Sequence, residues 1–392
     1  MMKRWKLVVC ILALPVLATG ATKWNGPKWS GPRGTITQFK NRAELHRALR
    51  SGGYQVRGGV DRSQTSKNDD DHNKSFPHFT ESFNFGGQNY PFTMIGYPPS
   101  SGRSTTAKSV IVPLLITFAF FGPNQDISHT FDPTPAVNSI VNSPMYQNAD
   151  FPNGRGQFVD QLQRAAFWNQ MDKHHSWHVK MDGPRIAKPL EIQVTPEWGA
   201  LFQDANGNFF GDMLIDATDA ILNTYIQTSG IAPDEVPIFV SDNVTAEALG
   251  YHSASQFGGS NAIFTYIYTS WLDPALVDPI IADVSTINHE LSEWANDPYI
   301  NNIVPLWMYP PPSDPRTVCG DNPFLEVGDP QGNGPTFDDF PTIVVPVNGV
   351  DYHLQQIVLY QWFTGEVPSS AFGGWYTFPD PTSLTVPFVP CN

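Results

Sequence analysis

The sequence predicts an α+β fold: a twisted mixed sheet packed on one functional helix, with a β-rich C-terminal part. Three observations predict it. The chain has 31 Gly and 36 Pro in 392 residues, above the usual combined share of about 12%. That favours turns and short elements over helical bundles and coiled coils. Ser109 to Phe121 (SVIVPLLITFAFF) is a continuous apolar run rich in β-branched and aromatic residues, the pattern of a buried strand. Beyond it, helix-period and strand-like segments alternate, and they end in a helix that carries titratable residues.

Residues 1–20 (MMKRWKLVVCILALPVLATG) have a basic start at Lys3, Arg4 and Lys6, an apolar stretch from Leu7 to Leu17, and small residues at Ala18 and Gly20. This is the plan of a secretory signal peptide. The apolar stretch is shorter than the roughly 20 residues of a membrane span. The expectation is a secreted protein, extracellular or periplasmic, with no membrane attachment once the peptide is removed. Residues 21–80 are polar and rich in Gly, Ser and Asn and read as a loosely ordered leader. Residues 81–392 form the domain.

Within that domain, Pro113 breaks the apolar run and predicts a bulge or kink in the strand. Gln157 to Gln170 has helical spacing at Phe158, Leu162, Ala165 and Ala166. Pro189 to Thr195 predicts a strand. DANGNFFGD from Asp204 starts like a calcium loop but lacks Gly at the sixth position and Glu at the twelfth, so it reads as a turn. Gly211 to Gln227 predicts an amphipathic helix. Val236 to Val240 and Ala262 to Thr269 predict strands. Asp278 to Asn296 (DPIIADVSTINHELSEWAN) predicts a helix with Asp278 as N-cap and Pro279 at N1, stopped by Asp297 and Pro298.

Acidic residues outnumber basic ones 37 to 23, which excludes a nucleic-acid-binding surface. No Gly-x-Ser-x-Gly elbow, dinucleotide fingerprint or Walker sequence is present. The aromatic residues read as core and hairpin packing rather than sugar platforms. Cys319 and Cys391 remain after loss of Cys10 with the signal peptide. In an oxidising compartment they are expected to form one disulfide.

The chemistry sits in His289-Glu290-Leu291-Ser292-Glu293. Positions four apart on a helix differ by about 40° around its axis, so His289 and Glu293 share a face and can grip one cation. Glu290 projects beside them, in reach of a metal-bound water, as general base. This is the logic of the H-E-x-x-H helix with a carboxylate in place of the second imidazole. Such a donor set neutralises Zn²⁺ more fully and acidifies its water less, so another divalent cation is an alternative. Leu325 to Pro330 (LEVGDP) supplies Glu326 as third ligand, with Asp329 placed behind as an acceptor for His289. His252 in GYHS is a lesser candidate for the cleft. Tyr352 and His353, in a predicted strand, are candidate oxyanion stabilisers.

HELSEWANDP, CGDNPFLEVGDP and YHLQQIVLYQWF…GGWYTF together resemble a family of secreted bacterial proteins with H-E-x-x-E-W-x-x-D-P followed by L-E-V-G-D-P. The likeness runs from about Phe92 onward. More distantly the chain is similar to the exordium, or phosphate-induced, proteins of plants, but only in the helix and the Glu-x-Gly-Asp loop. The resemblance implies a zincin-like fold and zinc-dependent cleavage of a peptide or protein substrate. The plant proteins, which look growth-associated and apoplastic, imply the alternative of a non-catalytic extracellular binding protein on the same scaffold.

Overall fold

In a computed structural model, the structure describes residues 37–39, 75–257, 262–273, 276, 282–309, 318–319, 323–332 and 341–391. The expected signal peptide lies outside the described residues, as does most of the expected leader. Its described parts are not loose. β1 (Thr37–Phe39) runs parallel to a strand near residue 200. Phe76 is buried, and β2 (His78–Phe85) pairs with β3 (Gln88–Ile95) as an antiparallel hairpin.

The fold is mixed α+β and strand-rich, around a multi-strand mixed sheet. Its centre is β4 (Thr105–Phe121), which extends the expected strand by four residues at the N-terminal end. Side chains alternate along it. Val110, Val112, Leu114 and Ile116 enter one core cluster, and Ile111 enters the other. Pro113, with no N–H to donate, is the last residue of β4 in register with the parallel strand ending at Asp242. Beyond it Ile116–Phe121 takes a new antiparallel partner, β5 (Ile127–Phe131), with a register shift after Phe118. The expected kink is thus a change of partner.

The helix expected from Gln157 is α1 (Phe158–Ala166). β6 (Leu190–Val194) follows as expected. The Asp204 loop is the turn of a hairpin formed by β7 (Gly199–Asp204) and β8 (Phe209–Met213). The next helix was expected from Gly211, but Gly211 to Met213 belong to β8, and α2 spans Ile215–Ser229. Tertiary contacts override the local pattern here. A Cβ on Gly211 would press on the ring of Phe118. Asp212 Oδ1 accepts from Thr245 Oγ1 at 2.6 Å and from the Glu247 N–H at 2.9 Å.

β9 (Glu235–Asp242), β10 (Gly250–Gln256) and β11 (Ile263–Trp271) complete the sheet in the order β6-β4-β9-β11-β10. The first four are parallel, and β10 is antiparallel to β11. One sheet face packs on Leu222 and Ile226 of α2. The other packs on α3 (Ser285–Asn296), through Ile287, Leu291 and Trp294, and on the C-terminal hairpin of β12 (Thr342–Val347) and β13 (Val350–Gln355). The helix expected from Asp278 therefore starts later. Asp278 and Pro279 lie outside the described residues. Asp283 has φ of 48°, a left-handed conformation that cannot continue a right-handed helix.

Cys319 pairs through its backbone with Met308, and the Cys391 N–H donates to Leu306 O at 3.0 Å. The side chain of Cys319 lies outside the described residues. Among the described residues no helix is long and apolar enough to cross a membrane.

Two stability measurements check this architecture. Trp294 is fully buried, meets the Phe76 ring edge-on at 5.2 Å and donates Nε1–H to Thr265 Oγ1 at 2.9 Å. Trp294→Ala is expected to cost about 3–5 kcal/mol, read by denaturant unfolding. The Asp212 carboxyl is pushed from 3.8 up to about 6, chiefly by burial. A folded value above the unfolded one favours the protonated form, so this contribution is full below about pH 4 and lost as pH rises through 6. Asp212→Asn, which keeps the acceptor oxygen, is expected to abolish that loss. Unfolding free energies of both proteins at pH 5 and pH 8 check it.

Candidate metal centre

All twelve residues of α3 are buried, although they include His289, Glu290 and Glu293. A helix in this position would ordinarily be apolar all round. Burying charge without compensation is costly, so the surroundings of these three side chains decide what the helix is for.

Two elements bring the partners. The first is β10. His252 is opposite Ile267 of β11, and Ile267 belongs to the core cluster facing α3. Residues directly opposite share a face, so the imidazole of His252 points at the helix while its neighbour Tyr251 enters the other cluster. Gly250, on the same face, lets the strand approach closely. A Cβ there would lie 2.7 Å from Glu290 Cγ. The second element is the extended segment 323–328. It is held by Leu325 N–H on Asn302 O at 3.0 Å and by Val358 N–H on Val327 O at 2.9 Å. Leu325 and Val327 alternate into the core, which turns Glu326 and Gly328 towards α3.

Gly328 has no room for a side chain, because a Cβ would clash with the imidazole ring of His289. Its N–H donates to Glu293 Oε1 at 3.0 Å. Its carbonyl accepts from Gln355 Nε2 at 2.7 Å. A carbonyl oxygen only accepts, so the Gln355 amide has its oxygen towards His289 Nδ1, at 2.9 Å. Nδ1 therefore carries a proton, and Nε2 is the nitrogen that faces the cluster.

Around His289 Nε2 stand Glu293 Oε1 at 3.1 Å and Asp329 Oδ1 at 3.7 Å. His252 Nδ1 lies 3.5 Å from Glu293 Oε2 and 3.6 Å from Glu290 Oε2. His252 Nε2 lies 3.9 Å from Glu326 Oε2. Among the described residues, two buried groups could hold a metal ion: His289 with Glu293 and Asp329, and His252 with Glu290 and Glu293. Within each, the ligand atoms lie within 4.8 Å of one another.

The charges are strongly coupled. Burial alone would lower His289, but the carboxylates of Glu293, Glu290 and Asp329 outweigh it and raise the imidazole to about 9. Burial raises Glu293, but His289 and His252 outweigh it and hold the carboxyl at about 2. Glu290 is raised, chiefly by burial. Glu326 is raised well above its ordinary value by burial and by the charge of Glu293. His252 is raised well above its ordinary value, because the neighbouring carboxylates outweigh burial.

No protein-family model, curated protein or solved structure matches this chain. What it does is therefore argued from these residues and their geometry.

His289, Glu290, Glu293, Glu326 and Asp329 all converge, with Asp329 and not Glu326 beside His289 Nε2. Asp329, expected behind the ligands, lies beside His289 Nε2 and completes that three-residue group. Glu326, expected as third ligand, lies beside His252. The orienting contact on His289 comes from Gln355, which the sequence did not single out. Its signal was the alternation of β13, where His353 and Gln355 share one face. The His353 ring instead bonds Asp283, Nδ1 to Oδ2 at 2.6 Å. Tyr352 points the other way along the strand, into the core. The contacts of these two expected oxyanion stabilisers thus lie with Asp283 and the core.

Gln355→Leu keeps the volume but frees the imidazole to rotate. Divalent-cation affinity is expected to fall about 10–100-fold, with the fold retained. Calorimetric Zn²⁺ titration and circular dichroism of the variant check this.

Proposed function

We propose that the protein is a secreted, metal-dependent peptidase on a zincin-like scaffold. The observation that supports it most is the setting of His289: Nδ1–H is locked on Gln355, and Nε2 faces Glu293 and Asp329. An imidazole aimed in this way, with two carboxylates before its second nitrogen, matches a divalent-cation site. In this reading His289, Glu293 and Asp329 hold Zn²⁺, with Mn²⁺ the alternative because two of three donors are hard oxygens. When bound, the cation polarises the scissile carbonyl and makes water a better nucleophile.

The rest is work for the chain. Glu290 follows His289 directly, and its oxygens have no hydrogen-bond partner among the described residues. It takes the proton from the attacking water and delivers it to the leaving amine. Burial raises its carboxyl, which makes the carboxylate a stronger base. Cys319 and Cys391 form the disulfide of this exported chain. The adjacency of their backbone segments supports it.

One observation favours a second reading. His289 is 0% exposed and Glu326 is 1% exposed. A hydrolytic site needs an open position and a path for substrate, whereas a sealed site suits a structural metal in an extracellular binding protein.

Glu290→Gln separates the two readings. It is expected to lower peptide hydrolysis at least about 100-fold while keeping the cation bound by His289. Casein-fragment release and metal analysis on the same preparation check it. Absence of chelator-sensitive cleavage by the metal-loaded wild type would favour the binding protein.

A further inference from the structure

Glu293 belongs to both ligand groups, and the proposed hydrolysis uses only one. On α3, at about 100° per residue, Glu293 falls about 40° from His289 and about 60° from Glu290, between the two. Its two oxygens divide accordingly. Oε1 lies 3.1 Å from His289 Nε2, and Oε2 lies 3.5 Å from His252 Nδ1.

We infer that the cluster is a two-cation centre. A second divalent cation sits between His252 Nδ1, Glu290 and Glu293, and the Glu293 carboxylate bridges it to the cation of His289, Glu293 and Asp329. The inference rests on the proposed first cation site, and because it takes Glu290 as a ligand, Glu290 serves as general base only while the second cation is absent.

Three further observations carry it. Both oxygens of Glu290, both oxygens of Glu326 and His252 Nε2 are buried with no hydrogen-bond partner among the described residues. Native interiors rarely leave such groups unmet, and an ion is one of the recognised reasons. Charge agrees. When ionised, Glu290, Glu293, Glu326 and Asp329 carry four negative charges beside two imidazoles, all at least nine-tenths buried. Two divalent cations neutralise them with both imidazoles neutral and able to ligate, and one cation leaves half the charge uncompensated. The Glu293 oxygens divide between the two groups, as do those of a carboxylate bridging two cations about 3.5–4 Å apart in two-metal hydrolytic sites.

Glu326 Oε2 stands 3.9 Å from the far nitrogen of His252, a charge contact longer than the hydrogen bond by which Gln355 holds His289.

Metal counting tests the inference. Metal-free wild type is dialysed against Zn²⁺ and analysed by mass spectrometry, and a second sample is loaded with Mn²⁺ for electron paramagnetic resonance. The expected wild-type result is two equivalents of Zn²⁺ and a spin-coupled Mn²⁺ pair. His252→Asn and Asp329→Asn are each expected to bind one equivalent and to give the uncoupled six-line Mn²⁺ signal. One equivalent in the wild type, or two without spin coupling, would overturn the bridged pair and leave the first site standing. No bound metal in the wild type would overturn both readings. The wild-type count and spectrum decide the matter even if a variant fails to fold.

Discussion

The structure depends on placing four carboxylates and two imidazoles in one water-poor space. Isolated ionised groups in such a space would destabilise the fold by several kcal/mol each. Neutralisation must come from protons or from bound cations. The arrangement of backbone donors favours keeping at least part of the charge. The Gly328 N–H on Glu293 stabilises a carboxylate, not a carboxylic acid. The helix is thus built around a charged centre, and its apolar residues Ile287, Leu291 and Trp294 anchor it to the sheet.

The delivery of side chains to this centre follows from strand alternation. His252 reaches α3 because its partner Ile267 lies on the helix face of the sheet. A shift of one residue in the pairing of β10 and β11 would present Tyr251 or Ser253 in its place. Glu326 and Gly328 reach the helix because Leu325 and Val327 are drawn into the core. Two glycines set the distance. Gly250 admits the edge strand to Glu290, and Gly328 admits the loop to His289. Both are close-approach positions, not turns.

Much of this was legible in the residues, and the limits have physical causes. The i, i+4 relation of His289 and Glu293 is local, so a helical period is enough to find it. Glu326 and Asp329 were recognisable as partners because the loop repeats acid-Val-Gly-acid beside a buried pattern. Which of them meets His289 depends on the direction of an extended segment, and no local period carries that. His252 depends on a long-range strand register, and Gln355 on the docking of a hairpin about 60 residues beyond the helix. The starts of α2 and α3 moved for a related reason. Asp212 is taken by Thr245 and Glu247, and Asp283 by His353. Tertiary partners overrode good local cap and helix signals.

The tie between Gln355 and His289 also sets an order of events. The groups that meet at the centre are spread from His252 to Gln355, and the last to be synthesised is the one that aims the imidazole. A nascent chain shorter than that carries the helix but leaves its histidine unaimed. Maturation of the centre therefore waits for the C-terminal hairpin to dock, and a chain clipped before that hairpin would keep most of its sheet yet never finish its charged heart.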